Sequence, residues 1–328
     1  NYLTGEKQSF EPGLLDPTQL DRLAILCRKH TPVTRYVRRN TRALLQRYYE
    51  QGILKERVPT RDPKSEFITM RADERELYDR LDEYFADYYQ KLEQEHKGLG
   101  FVMAVYRKRL TSSMYAIRES LQRRINALSD PARVAEMLTD EDTEEEDLSA
   151  DLWADEEPEE RLATKARDEE IAYVREFIHD IDQLGQTDSK LERLRRHLDE
   201  LFRRFGTVLV FTEYTDTMDY LREALRPVYG RQVICYSGRG GECWDGIQWA
   251  PESKETAKQL FREGTVRIML ATRAASEGLN LQTCGCLINY DMPWNPMRVE
   301  QRIGRIDRIG QLHERVKILN YFYEDTIE

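Results

Sequence analysis

The sequence predicts an α/β protein: a mostly parallel sheet with flanking helices, preceded by a mostly α-helical region. Three observations carry this expectation. Beyond Gly206, short continuous apolar runs of the kind that fill buried parallel strands alternate with amphipathic stretches. Before it, apolar residues recur at steps of three and four, the period of a helix face. Gly206 itself stands where the pattern switches, at the place of a helix C-terminal cap.

The elements follow in order. In residues 1–60, Asp16-Pro17-Thr18 opens a helix running to Arg28, and Tyr36 to Arg42 is dense in arginine. Residues 61–200 read as largely helical. Met114, Ile117, Leu121, Ile125 and Leu128 share one helix face. Arg118, Arg123 and Arg124 lie off that stripe, either as a solvated face or as a DNA-facing basic helix. Ser189 and Glu192 form a candidate capping box for a helix with Leu191, Leu194, Leu198, Leu201 and Phe205 on its stripe.

Residues 201–328 form the predicted α/β unit. Strands are expected at Thr207–Phe211, Gln232–Tyr236, Arg267–Ala271, Cys286–Tyr290 and Val316–Phe322. Helices are expected around Met218, Leu221 and Leu225, from Ser253 to Arg262, and from Asn295-Pro296, a good N-cap followed by a good first residue. The segment between Tyr236 and Ser253, with Gly238, Gly240, Gly241, Trp244, Gly246 and Trp249, reads as a nucleic-acid contact or a structured surface loop. In sheets of this kind ligands bind beyond the carboxyl ends of the strands.

Composition narrows the function classes. The 328 residues are enough for two or three compact units, and 40% hydrophobic with 34% charged residues is a globular balance. No run of about 18 apolar residues suggests a membrane span, and no secretory signal stands at Asn1. Five cysteines, an odd number without a C-x-x-C pair, point to a reducing intracellular setting, and the scattered histidines add no zinc spacing. The net charge of −10 is dominated by residues 140–160, with 13 acidic and no basic residues; without them it becomes +3. A local basic groove is therefore compatible with the composition. The acidic run is expected to be a solvated loop; nucleic-acid mimicry or docking of a basic partner is the alternative.

The chemistry is expected in the loops after the strands. Thr272 to Asn280 offers hydroxyls and glycine-exposed backbone N–H groups suited to phosphate oxygens, although an ordinary turn also explains it. Arg298, Arg302, Arg305 and Arg308 share one broad face if their helix persists. Guanidinium forks fit phosphate, and Gly304 among them marks a close approach or a helix end. Arginines beside such a glycine suit charge stabilisation in phosphoryl transfer.

At this point the sequence resembles a family. Gln301-Arg302-Ile303-Gly304-Arg305-Ile306-Asp307-Arg308-Ile309-Gly310-Gln311 resembles motif VI of superfamily-two helicases in its Swi/Snf-type form. Asp291-Met292-Pro293-Trp294-Asn295-Pro296 resembles the preceding motif, Ser276-Glu277-Gly278-Leu279-Asn280-Leu281 motif V, and Val210-Phe211-Thr212-Glu213-Tyr214 motif IV. The Ser-Glu-Gly-x-Asn form and Arg39-Asn40-Thr41-Arg42 point to the bacterial RapA-like branch.

The resemblance implies a second, RecA-like lobe in residues 201–328, a helical insertion in 61–200 and the tail of a first lobe with a linker in 1–60. It implies an ATP-dependent translocase on double-stranded DNA that remodels protein–DNA complexes without sequence preference. Arg305 and Arg308 would reach the ATP phosphates, one of them as arginine finger, and Gln301 would contact the nucleotide. Gly278 and Asn280 would couple ATP state to the lobe interface. Thr212 and Thr272, helped by Arg273, would bind phosphates of the tracked strand. Trp294 would pack near the nucleic acid or be buried in the core. A bacterial cytoplasmic setting is implied, with RNA polymerase or another DNA-bound complex as partner.

No Gly-Lys pair occurs in the sequence, so no Walker A loop is expected here; ATP and Mg²⁺ would be gripped mainly by the first lobe of the same protein. Asp73-Glu74-Arg75-Glu76 follows no apolar strand and is not an acidic Walker B box. This chain alone is accordingly expected to be inactive as an ATPase. A non-catalytic nucleic-acid or partner-binding module is the competing expectation.

Overall fold

The computed structural model describes residues 16–30, 41–95, 100–129, 164–185, 188–273 and 279–326. The chain forms two compact units, Asn1–Lys55 and Glu56–Glu328. The first contains α1 (Pro17–His30) and α2 (Arg42–Glu50), and Thr41 caps α2 by accepting from the Leu44 amide at 3.3 Å. Arg39, Asn40 and the acidic run 140–160 lie outside the described residues.

The second unit is built on an eight-stranded sheet among the described residues. In chain order its strands are β1 (Thr60–Ile68), β2 (Val208–Phe211), β3 (Val233–Ser237), β4 (Gly240–Trp244), β5 (Trp249–Glu252), β6 (Ile268–Ala271), β7 (Cys286–Asn289) and β8 (Arg315–Tyr323). They lie side by side as β1-β8-β7-β2-β6-β3-β4-β5. All pairs from β1 to β3 are parallel; β4 and β5 are antiparallel additions. The helices of this unit are α3 (Ala72–Glu95), α4 (Gly100–Ser112), α5 (Met114–Ser129), α6 (Thr164–Gln183), α7 (Ser189–Phe205), α8 (Thr215–Tyr229), α9 (Lys254–Arg262) and α10 (Pro296–Ile303). No described helix is long and apolar enough to cross a membrane.

Alternation along each strand makes two cores. Val208, Val210, Val233, Cys235, Ile268, Leu270, Cys286 and Ile288 face α7, α8 and the helical region, whose Leu81, Phe85, Leu110, Ile117, Leu121 and Phe177 continue the same core. Leu209, Phe211, Ile234, Tyr236, Met269 and Leu287 face Ala257 and Phe261 of α9 and Ile303 of α10. The five expected strands and their helices are all present.

Four features depart from the sequence reading. No strand was expected before residue 207, yet β1 pairs with β8 along all nine residues. Its sequence, TRDPKSEFI, hides the strand because it is an edge: one face is largely solvated and the missing N–H of Pro63 costs nothing on the open side. Phe67, 60% exposed, stacks on Phe322. The glycine- and tryptophan-rich segment is the hairpin β4–β5, where a Cβ on Gly241 would stand 3.0 Å from both the Ala257 side chain and the Glu252 carbonyl. The Trp249 indole donates to Glu223 of α8 at 2.6 Å, and Arg226 lies over Trp244. The cap of α7 is Asp188, which accepts from the Leu191 amide at 2.6 Å; Ser189 instead donates its hydroxyl to Glu74 at 2.5 Å. Finally, Arg118, Arg123 and Arg124 are bonded to Asp182, Asp216 and Glu170 at 2.7, 2.7 and 2.8 Å.

Gly206 ends α7 with φ +76° and ψ −46°. A Cβ there meets nothing within 4 Å, so Gly206→Ala is expected to lose stability through backbone strain alone. The loss should be roughly 1–3 kcal/mol, read as a lowered urea midpoint.

A second expectation concerns pH. His197 of α7 shares a hydrogen bond with the Tyr321 hydroxyl at 2.6 Å and lies near Glu66 of β1. Burial pushes its imidazole below the ordinary 6.5, against the pull of Glu66. Burial pushes Glu66 up, but Lys64, His197 and Arg193 outweigh it and hold it below 4.5. Both depressed groups bind protons more readily when unfolded. Stability is therefore full above the ordinary histidine value and falls as pH drops through it, with Glu66 adding a further loss below its own ordinary value. His197→Gln should flatten the difference between urea midpoints at about pH 7.5 and about pH 5.5.

Candidate functional site

The carboxyl ends of β2, β6 and β7 are in register, with Phe211 level with Ala271 and Asn289. The next residues of each strand therefore converge. The Thr212 amide donates to the Ala271 carbonyl at 3.1 Å and the Tyr290 amide to Phe211 at 2.8 Å. Asp291 is the centre of this end of the sheet. One carboxylate oxygen accepts the Thr212 hydroxyl at 2.6 Å and the Ser112 hydroxyl at 2.5 Å; the other accepts the Glu213 amide at 2.8 Å. A buried carboxylate with three donors is well satisfied.

Arg302 closes the group from α10. Only 3% exposed, it donates to the Asn289 side chain at 3.0 Å, to the Asp291 carbonyl at 2.9 Å and to the Glu213 carboxylate. Its guanidinium lies over the Phe211 ring, 5.3 Å from the centroid. Arg298 is 3.5 Å from the same Glu213 carboxylate. These two arginines therefore hold the site together.

Helix α10 starts on Asn295, whose side chain accepts from the Met297 amide at 2.9 Å, with Pro296 in first position, as the sequence implied. It stops at Ile303, with Gly304 as C-cap. The expectation of one arginine face is thus corrected: Arg305 and Arg308 sit on tight turns beyond the helix. The turns are pinned from several sides. The Leu281 amide donates to the Arg305 carbonyl at 3.0 Å, and the Gln311 side chain donates to Ile306 and Cys284 carbonyls at 2.6 and 3.0 Å. Arg61 of β1 bonds Asp307 at 2.5 Å, and Ile306 is fully buried.

The remaining candidates are placed as follows. Asn280 is half-buried, one residue from the Leu281 contact to Arg305, and its carbonyl accepts from Arg262 at 2.9 Å. Arg308 folds back onto the Gly304 carbonyl at 2.8 Å, and Gln301 is exposed. Thr212 and Thr272 are buried and Arg273 is half-buried. Trp294 is 59% exposed, so its core reading is corrected; the Lys108 ammonium lies 4.1 Å from its ring centre. Gly278, with residues 274–277, lies outside the described residues.

Sequence reasoning placed no role on Asp291, Glu213, Asn289 or Arg61. Asp291 and Glu213 were visible as acidic residues immediately beyond apolar strands, but their partners come from segments far away in the chain. Arg302 and Arg298 are engaged by Glu213, which leaves Arg305 and Arg308 as the guanidinium groups whose chemistry suits phosphate. Among the described residues no group of three or more histidine, cysteine or acidic side chains is placed to hold a metal ion.

Residues 189–310 match the profile of the helicase conserved C-terminal domain. The chain contains a helicase C-terminal domain. It spans α7 to the arginine turns and so includes every site residue expected from the sequence, while Arg61, Ser112 and Gln311 lie outside it. The chain is 38% identical over 148 residues to the uncharacterized ATP-dependent helicase YqhH of Bacillus subtilis, covering 45% of this chain and 24% of that protein. It is 31% identical over 158 residues to the RNA polymerase-associated protein RapA of Vibrio atlanticus, 47% of this chain and 15% of RapA. The RapA-like resemblance of the motifs is borne out, while the chain spans a quarter or less of these relatives. The Pyrococcus furiosus Hef helicase domain shares the fold at 16% identity, with a TM-score of 0.50 over 82% of this chain and 57% of that one.

Proposed function

We propose that this helicase domain is the second RecA-like lobe of an ATP-dependent double-stranded DNA translocase that remodels protein–DNA complexes. The observation that carries the reading is the pinned turn bearing Arg305 and Arg308 beside Asn280, where the chain enters β7 and β8. Guanidinium groups on a rigid turn are what a phosphoryl-transfer site needs from a second lobe, because they stabilise charge without reorganising.

On this reading residues 1–60 end the first lobe and link it, 61–200 are a helical insertion except for β1, which joins the sheet of the second lobe, and 201–328 are the rest of that lobe. The first lobe of the same protein would grip ATP and Mg²⁺. Arg305 and Arg308 would complete the phosphate site, Gln301 and Asn280 would sense the nucleotide, and Gly278 would belong to the same loop. Trp294, Arg273, Thr272 and Thr212 would meet the nucleic acid. Trp294 is the best exposed of these, whereas the Thr212 hydroxyl is engaged by Asp291 and would support its loop. Phosphate and stacking contacts carry little base information, so binding without sequence preference is expected. A relative named as RNA polymerase-associated makes RNA polymerase a candidate complex to remodel, in a bacterial cytoplasm.

The test uses the full-length protein. Duplex DNA should stimulate ATP hydrolysis, and the protein should displace a third strand from a triplex without separating the duplex. Salt-sensitive DNA binding with no stimulated hydrolysis would favour a non-catalytic binding module. Processive strand separation would favour an unwinding helicase.

A further inference from the structure

The helical region meets the lobe at the junction of α4 and α5, and the contact is polar. Ser112, Ser113 and Thr217 are all fully buried there. The Ser112 hydroxyl donates to Asp291 at 2.5 Å. Its single proton is thereby used, so in the 2.7 Å contact with Thr217 it must accept. The Thr217 proton is then used as well, and in the 2.9 Å contact Ser113 must donate to Thr217. Ser113 in turn accepts from the Ala116 amide at 3.0 Å. Every direction in the chain is fixed: Ser113 to Thr217 to Ser112 to Asp291.

The path continues without a gap into the arginine segment. The Asp291 carbonyl accepts from Arg302, whose side chain also bonds Glu213 and Asn289, and the Arg302 carbonyl accepts the Arg305 amide at 3.0 Å. We propose that this directed hydroxyl chain sets the position of the arginine turn, which makes Ser112 a positioning residue for Arg305 and Arg308. The role for catalysis rests on the function proposed above; the mechanical link rests on the contacts alone.

The physical argument is one of specificity. An apolar junction would hold the helices on the lobe equally firmly and would tolerate sliding. A buried polar chain is satisfied in one register only, because a shift leaves several desolvated groups unpaired. Two more buried ties fix the same junction: the Lys190 ammonium donates to the Thr111 carbonyl at 2.7 Å, and Arg109 bonds Asp216 at 2.7 Å. Displacement of the helical region by DNA or a partner is therefore transmitted to Asp291 rather than absorbed in packing.

Hydrogen exchange of the full-length protein reads the link. Ser112→Ala is expected to speed exchange of the Arg305 to Arg308 amides roughly tenfold. Amides of β8 should be unchanged, and Ser112→Thr, which keeps the hydroxyl, should restore the wild-type rate. Thr217→Val breaks the chain one step earlier and should give the same local pattern, which keeps the test decisive if Ser112→Ala does not fold. Equal acceleration of β8, or none in either segment, overturns the proposal, because a merely structural serine would loosen the lobe as a whole. In the same variants DNA-stimulated ATP turnover should fall several-fold at unchanged KM for ATP. Absence of stimulated turnover in the wild-type protein would sink the proposed function, while the exchange rates would still decide the link.

Discussion

Replacing Arg305 with Ala in the full-length protein is expected to slow DNA-stimulated ATP turnover roughly 10³-fold or more. Thermal unfolding should stay where it is. Arg305 stands on a turn fixed through its backbone, by the Leu281 amide on one side and the Arg302 carbonyl on the other. Removing the side chain leaves those bonds intact. Arg305→Lys should recover little, since a point charge replaces a planar fork. Arg308→Ala, on the same turns, should give a second large loss, and comparing the two identifies the finger. Steady-state hydrolysis at saturating ATP and duplex DNA is the measurement. Wild-type turnover in Arg305→Ala would remove the observation on which the proposed function rests.

Arg302→Ala should show the reverse pattern, with stability as its first casualty. Its guanidinium is buried among Glu213, Asn289 and the Asp291 carbonyl. Truncation leaves the Glu213 carboxylate without its closest cation and opens a cavity against Phe211. Losing one partner of a buried charge pair costs about 3–5 kcal/mol. A chemical melt of the variant reads this directly, and a loss below about 1 kcal/mol would show the arginine to be surface-like. Two arginines three residues apart thus differ in setting: Arg302 is buried among its partners, and Arg305 is half-buried on the turn beyond the helix.

That difference was not legible in the sequence. In Arg298 to Arg308 the four arginines have the same local appearance, and helical spacing puts them on one face. The helix ends at Ile303, so the face never forms. Which guanidinium is buried depends on Glu213 and Asn289, supplied by β2 and β7. Likewise β1 shows no strand pattern, because its apolar surface is sparse at an edge, and its pairing with β8 joins residues some 255 positions apart. The hairpin β4–β5 was hidden by its glycines and tryptophans, which serve close packing on α9 and anchoring on α8.

What the sequence determined by itself is what local patterns encode. Apolar runs and helical stripes marked the central strands β2, β3, β6 and β7, and β8 beside them, with their helices in the right order, since burial on both faces of a parallel sheet demands continuous apolar runs. Short motifs, read as consecutive residues, marked the helicase C-terminal domain. Tertiary structure alone decided the rest: the edge strand, the buried Arg302, the turn that presents Arg305, and the hydroxyl chain from Ser113 to Asp291. The reason is the same in each case. A hydrogen-bond partner or a desolvated environment is contributed by residues distant in the chain, and no local window contains them.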